Sequence, residues 1–167
     1  MQKNTLLIVL GNQLFPLDRI QSVEANCIFM AEDLGLCTYE KHHKLKILMF
    51  LAAMREKRDE LQANECSVEY IDIKNPDFEQ PYEAKLAACI EANQIEALTF
   101  FEIEDKAFEE RINAFAALHN LPTTVLPSPM FLLDRQEFLH LNGKYKVLRM
   151  GNFYKGVRTK LNLLMDE

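Results

Sequence analysis

Apolar and polar positions alternate along this chain in blocks that change period. Residues 5–10 (Thr-Leu-Leu-Ile-Val-Leu) are a short continuous apolar run, the pattern of a strand covered on both faces. The run stops at Gly11-Asn12-Gln13-Leu14-Phe15-Pro16, where Gly11 permits a tight turn and Pro16 blocks further pairing. A short helix over 18–23 is followed by a second strand, 27–30, which delivers Ala31-Glu32-Asp33 to its C-terminal end. Residues 67–73 alternate as a third strand and end in the turn Asn75-Pro76-Asp77. Residues 81–92 have helical spacing, with Tyr82, Leu86, Ala87 and Ile90 facing inward. A fourth strand over 97–101, a helix over 104–118 and a fifth strand over 123–126 follow, closed by Pro127-Ser128-Pro129.

Between the second and third strands the pattern predicts one long helix over 38–61 with two characters. Its first part is polar and partly cationic (Tyr39, His42, His43, Lys44, Lys46); residues 45–54 are apolar almost all the way round. A helix on the outside of a sheet needs only one apolar stripe. Here Leu45, Leu48 and Ala52 form one line, and Ile47, Phe50, Leu51 and Met54 form others, so the helix is expected to pack on the sheet with its other flank under a further element or another domain. After Pro129 the strands cease. Asp134-Arg135-Gln136-Glu137 has the form of a capping box opening a helix that Asn142-Gly143 ends, and an amphipathic basic and aromatic segment spans 147–165.

Strands alternating with helices of this length predict an α/β fold: a Rossmann-like three-layer α/β/α arrangement on a five-stranded parallel sheet, with a C-terminal helical extension. The expected division is 1–130 for the Rossmann-like domain and 131–167 for the helical part, read as the start of a further domain. Ligands of such sheets sit outside the C-terminal strand ends, at the switch point. Those ends carry Gly11, Asn12 and Gln13, then Glu32 and Asp33, then Glu102 and Glu104, with Tyr39 and His42 or His43 overhanging the same edge.

Composition narrows the function. The 167 residues carry a formal charge of −6, but residues 141–165 hold six basic residues and no acid. The remainder balances 13 basic against 25 acidic residues, −12, so nucleic acid would be met only through the tail or another part of the protein. The tail itself reads either as a nucleic-acid surface or, with about twice the weight, as a helix docking on a following domain. Cys27, Cys37, Cys66 and Cys89 lack a paired C-x-x-C spacing, which argues against a zinc or iron–sulfur site within the chain and leaves four buried free thiols. No signal peptide or long apolar run is present, so the expected address is the cytoplasm, with no membrane contact. There is no G-x-G-x-x-G and no P-loop.

His42 and His43, as sequence neighbours, point about 100° apart on a helix and do not make a metal pair. Neither has a Ser or Cys nucleophile evident beside it, so no catalytic residue is assigned. The ordinary reading of these histidines, and of Glu32, Asp33, Glu102 and Glu104, is solvated polar surface. The binding alternative has Tyr39 stacked on a planar ligand while a histidine and Lys46 bond its polar edge, with one strand-end carboxylate accepting from a ribose or ribityl hydroxyl.

Taken in order, Leu10-Gly11-Asn12-Gln13-Leu14, Tyr39 with His42-His43-Lys44 and Lys46, Ala53-Met54-Arg55, Phe131-Leu132, Arg149-Met150 with Phe153-Tyr154 and Arg158, and Leu163-Leu164-Met165-Asp166 resemble the deoxyribodipyrimidine photolyase-related proteins. These are the iron–sulfur branch of the cryptochrome and photolyase superfamily, which includes prokaryotic six-four photolyases. The resemblance covers the whole chain as the N-terminal antenna domain of that family. It implies a domain that holds 6,7-dimethyl-8-ribityllumazine and passes excitation to a flavin, in a flavoprotein of light-dependent DNA repair or signalling. By the motif match, Gly11, Asn12, Gln13, Glu32, Tyr39, His43, Ile47 and Phe50 line the pigment site. FAD, a [4Fe–4S] cluster and the DNA lesion pocket are expected in a C-terminal domain outside these residues, which would be the main partner; DNA would be met only through the full-length protein. A homodimer through the face that domain would cover is a further expectation. The chain departs from the family pattern at Asn12, where Asp is usual, at 34–37 upstream of Tyr39, and at Glu102-Ile103-Glu104.

Two alternatives remain beside this reading. One is a stand-alone Rossmann-like module that binds a nucleotide or docks a partner without catalysis. The other, weaker, is a hydrolase using His42 or His43.

Overall fold

The structure is a computed structural model that describes residues 3–143 and 146–164. Five parallel strands, β1 (Thr5–Ile8), β2 (Cys27–Ala31), β3 (Val68–Ile71), β4 (Ala97–Phe101) and β5 (Thr123–Leu126), form one sheet in the order β3-β2-β1-β4-β5. The helices that carry the chain between them are α1 (Leu17–Gln21), α2 (Leu34–Thr38), α3 (Lys44–Ala63), α4 (Tyr82–Asn93) and α5 (Lys106–Leu118). This is the Rossmann-like α/β/α arrangement with helices on both faces.

The continuous apolar run in β1 follows from its central position. Leu6, Ile8 and Leu10 pack with Phe29, Leu98 and Phe100 against Leu86 of α4 and Ile112 and Phe115 of α5. Leu7 and Val9 face the other way, into a second core with Ile28, Met30 and Phe101, covered by Ile20 of α1 and Met54 and Leu61 of α3. A strand buried on both faces has no place for a polar side chain, which is why the alternation disappears. β3, at the sheet's edge, is half-exposed and shorter than the expected 67–73. Its continuation leaves the ladder because the Ile73 N–H donates to the Glu32 carboxylate (3.0 Å).

The expected helix over 38–61 is corrected to two helices joined by a turn. α2 ends at Thr38, whose hydroxyl donates back to the Leu34 carbonyl (2.7 Å). Residues 39–43 form a turn, and α3 starts at Lys44 with His43 as its N-cap. Along α3, Met54 and Leu61 are buried and Ile47, Phe50 and Leu51 half-buried, while Leu45, Leu48 and Met49 are exposed on the flank expected to lie under a further element or another domain.

From Pro127 onward the chain forms a separate compact unit. Its α6 (Arg135–Asn142) opens on the expected capping box, with Asp134 accepting from the Glu137 N–H (2.7 Å) and the Glu137 carboxylate accepting from the Asp134 N–H (3.1 Å). α7 (Met150–Leu161) lies along α6, with Phe138 and Phe153 in ring contact at 5.5 Å and an ion pair between Lys160 and Glu137. The expected amphipathic segment also takes in Met165, which lies outside the described residues. No helix among the described residues is long and apolar enough to cross a membrane.

Candidate functional site

The strand order reverses between β1 and β4, so the loops leaving these neighbours turn to opposite sides of the sheet and open a crevice between them. Gln13 spans the base of that crevice. Its backbone N–H closes a turn on the Leu10 carbonyl (2.8 Å), and its buried side-chain amide donates to the Glu102 carbonyl beyond β4 (2.8 Å). Asn12 makes a second tie through its amide to the Glu104 carboxylate (3.1 Å). Gly11 lets α3 come close: a Cβ at this position would stand 2.8 Å from Met54 Sδ.

Beside these loops lies a cleft of about 330 Å3. The strand ends contribute Gly11, Asn12, Ala31, Glu32 and Asp33, and α3 contributes Lys46, Ile47, Phe50, Leu51 and Met54. Leu36, Cys37, Tyr39 and His42 come from α2 and the turn after it. Ile103, Asp105, Phe108 and Tyr82 come from the β4 loop, α5 and α4. Tyr39 and His42 meet edge to face (5.5 Å), the Lys46 ammonium lies 3.5 Å from His42 Nδ1, and it sits 6.0 Å from the centre of the Phe50 ring. The cleft thus combines apolar and aromatic side chains with a small polar and cationic cluster. That is the make-up of a site for a planar molecule with one polar edge.

The two acids at the end of β2 are not solvated, which corrects the ordinary reading of them. Glu32 is fully buried and accepts from Arg55 Nε and Nη2 (2.6 and 2.8 Å), the Tyr70 hydroxyl (2.8 Å) and the Ile73 N–H (3.0 Å). Burial alone would raise its carboxyl pKa. The hydrogen bonds from Arg55, Tyr70 and Ile73, with the Arg55 charge, outweigh that and hold it below the ordinary value. Tyr70 responds in the opposite sense, its phenol pushed up by burial and by the Glu32 charge it donates to. Two donors on each Glu32 oxygen leave no lone pair for a ligand hydroxyl. Asp33 Oδ1 caps α2 through the Leu36 N–H (2.8 Å), and Oδ2 takes the fully buried Lys85 ammonium (2.8 Å). These acids shape the cleft by fixing β2 to α3 and α4.

Of the residues singled out in the sequence, Gly11, Asn12, Glu32, Tyr39, Ile47 and Phe50 line the cleft. Gln13 does not; it lies buried beneath, joining the two loops. His43 does not either. Its ring turns back to accept from the Leu45 N–H (3.2 Å) as the cap of α3, and His42 occupies the cleft side of the turn. The sequence pattern marks Tyr82 only as an inward-facing helix residue and singles out neither Asp105 nor Phe108. The four cysteines are free thiols, but only Cys27 and Cys89 are buried; Cys37 and Cys66 are half-exposed, a correction to the expectation for all four. Cys37 lines the cleft, its thiol pushed up first by burial and then by the Asp33 and Glu32 charges. Among the described residues no cluster of three or more His, Cys, Asp or Glu is placed to hold a metal ion.

Comparison with known proteins matches residues 7–167 to the family model for deoxyribodipyrimidine photo-lyase-related protein. Among curated proteins, a (6-4) photolyase of Agrobacterium fabrum (strain C58 / ATCC 33970) is 27% identical over 168 residues, covering 96% of this chain and 32% of the relative. The chain therefore spans about a third of that relative's length.

Proposed function

This chain belongs to the deoxyribodipyrimidine photolyase-related protein family, and from that premise we propose that it is the antenna part of a photolyase-like flavoprotein, holding a planar pigment of the ribityllumazine class in the cleft beside Gly11 and Phe50. The observation that carries the reading is the cleft itself. It lies at the sheet's switch point, has a volume of about 330 Å3 within the range usual for small-molecule sites, and pairs aromatic and aliphatic side chains with the His42–Lys46 cluster. In this reading Tyr39 and Phe50 face the ring system, and His42 and Lys46 bond its polar edge. The ribityl hydroxyls find their partners at the Asn12 loop, since Glu32 has no acceptor to spare.

The family suggests a flavin-type cofactor in the whole protein. Under this proposal the flavin, and any repair or signalling chemistry on DNA, belong to a region beyond these residues, which is the partner of this domain and the receiver of its excitation. No catalytic step is assigned to the residues described here.

The test is a titration of the purified chain with 6,7-dimethyl-8-ribityllumazine. Saturable binding with a red-shifted near-visible band and quenched pigment fluorescence is expected. An unchanged spectrum, together with tight binding of ATP, would replace the antenna by a nucleotide-binding module.

A further inference from the structure

Tyr82 opens α4 immediately after Pro81, and it is 1% exposed. Its ring is held edge to face between Phe29 (5.7 Å) and Phe108 (5.1 Å), so it is anchored from two sides by aromatic packing. A phenylalanine would make the same ring contacts. What tyrosine adds is a hydroxyl, and this hydroxyl has no hydrogen-bond partner; among the described residues only Gln13 Oε1 shares that condition. Buried polar groups are satisfied in the great majority of cases, so an orphan donor on a residue that borders a cleft calls for a physical account.

The neighbouring polar groups do not supply one. The Asp33 carboxylate acts on the phenol through its charge, but the hydroxyl makes no hydrogen bond to it. Burial, with the Asp33 and Glu83 charges, pushes the phenol well above its ordinary pKa, so the proton stays on and the group is a donor throughout the physiological range. Tyr82 also borders the same cleft as Phe50 and Lys46.

We propose that the Tyr82 hydroxyl is a ligand-binding group, the donor to a ring carbonyl or imine nitrogen on the buried edge of a planar heterocycle held in the cleft. The inference rests on the antenna reading and sharpens it. It selects pigments that carry an acceptor on the ring edge opposite the one met by His42 and Lys46, as a pyrimidinedione does.

The experiment compares the wild-type chain with Tyr82→Phe in two measurements. In the ligand-free protein, thermal unfolding of Tyr82→Phe should occur at the wild-type temperature or above it, because an unpaired buried hydroxyl is removed and the ring contacts stay. A clear fall would mean that the hydroxyl already has a structural partner, and would overturn the inference. Both proteins are then titrated with 6,7-dimethyl-8-ribityllumazine and with riboflavin, which share the pyrimidinedione edge. The variant should bind about five- to tenfold more weakly, the worth of one neutral hydrogen bond. Its bound pigment should also absorb at a different wavelength from the wild-type complex, which a merely structural role would not produce. Equal affinity and an equal absorption maximum overturn the inference while leaving the antenna reading intact. Failure of the wild type to bind either pigment overturns both.

Discussion

Arg55 grips Glu32 with two parallel hydrogen bonds, Nε to Oε1 at 2.6 Å and Nη2 to Oε2 at 2.8 Å. The pair joins the C-terminal end of β2 to the middle of α3, the helix that supplies much of the cleft. Arg55 is more than a third exposed while Glu32 is fully buried, so water screens one side of the bond and the protein encloses the other. The carboxylate, not the guanidinium, is therefore the member that depends on the partnership.

Replacing that carboxylate should expose the dependence. Glu32→Gln keeps the shape but removes the charge and leaves Arg55 with a weaker acceptor, at a cost of about 2 kcal/mol after allowance for the exposed arginine. The folded carboxyl pKa lies below the ordinary glutamate value, so its contribution is fully present above the unfolded value. It is lost as pH falls through the folded value. Urea unfolding at a series of pH values should show a constant gap between wild type and variant near neutrality that closes in acid. A gap that persists unchanged at pH 3 would mean the ion pair is not its source.

The sheet was legible because its signals are local. The apolar run from Thr5 to Leu10 and the alternation of strands with helices name a doubly covered parallel sheet without any distant information. The site was legible only in part, because its decisive contacts are long-range. Glu32 and Asp33 look like surface acids until the fold brings in Arg55, 23 positions later, and Lys85, 52 positions after Asp33. The break between α2 and α3 carries no glycine or proline, and a histidine ring acting as a cap has no sequence signature comparable to Ser, Thr or Asp. Tyr82 has helical spacing with Leu86, which correctly marks it as buried, but spacing says nothing of a cleft bordered by four separate helices.

Gly11 matters here through space rather than backbone conformation. A methyl group at this position would meet Met54 Sδ at 2.8 Å and Cγ at 3.4 Å. Methionine can swing aside, but the sheet core lies behind it and the cleft beside it. Gly11→Ala should thus cost only about 1 kcal/mol in thermal unfolding while weakening pigment binding by a larger factor, because the displaced side chain narrows the cleft. Isothermal titration of the two proteins with the ribityllumazine measures the difference; an unaltered affinity would show that Met54 moves elsewhere.

Lys85 is fully buried, its ammonium held by Asp33 Oδ2 (2.8 Å) and the Glu32 carbonyl (3.3 Å) and lying 5.4 Å from the Phe78 ring centre. Lys85→Met fills the space but strands the Asp33 carboxylate inside the protein, so denaturant unfolding should show a loss of about 3–5 kcal/mol. Adding Asp33→Asn should restore a substantial part. The asparagine oxygen still accepts from the Leu36 N–H, and no unpaired charge remains. Additive losses in the double variant would argue that the two groups act independently.

The adjacent histidines should separate binding from stability. His42 borders the cleft and contacts Tyr39 and Lys46, so His42→Ala removes a ligand-facing group at a half-buried position and leaves the caps of both neighbouring helices in place. His43 points away, its Nδ1 accepting the Leu45 N–H at the start of a 20-residue helix. His43→Ala should lower stability by about 1 kcal/mol, as loss of an N-cap does, with pigment affinity nearly unchanged at temperatures where the chain stays folded. His43→Asn, which can cap through its side-chain oxygen, should recover that stability, while His42→Asn should not recover the ring contact with Tyr39. Thermal melts and pigment titrations on the four variants form the measurement. A binding defect in His43→Ala larger than in His42→Ala would reverse the assignment of the two rings.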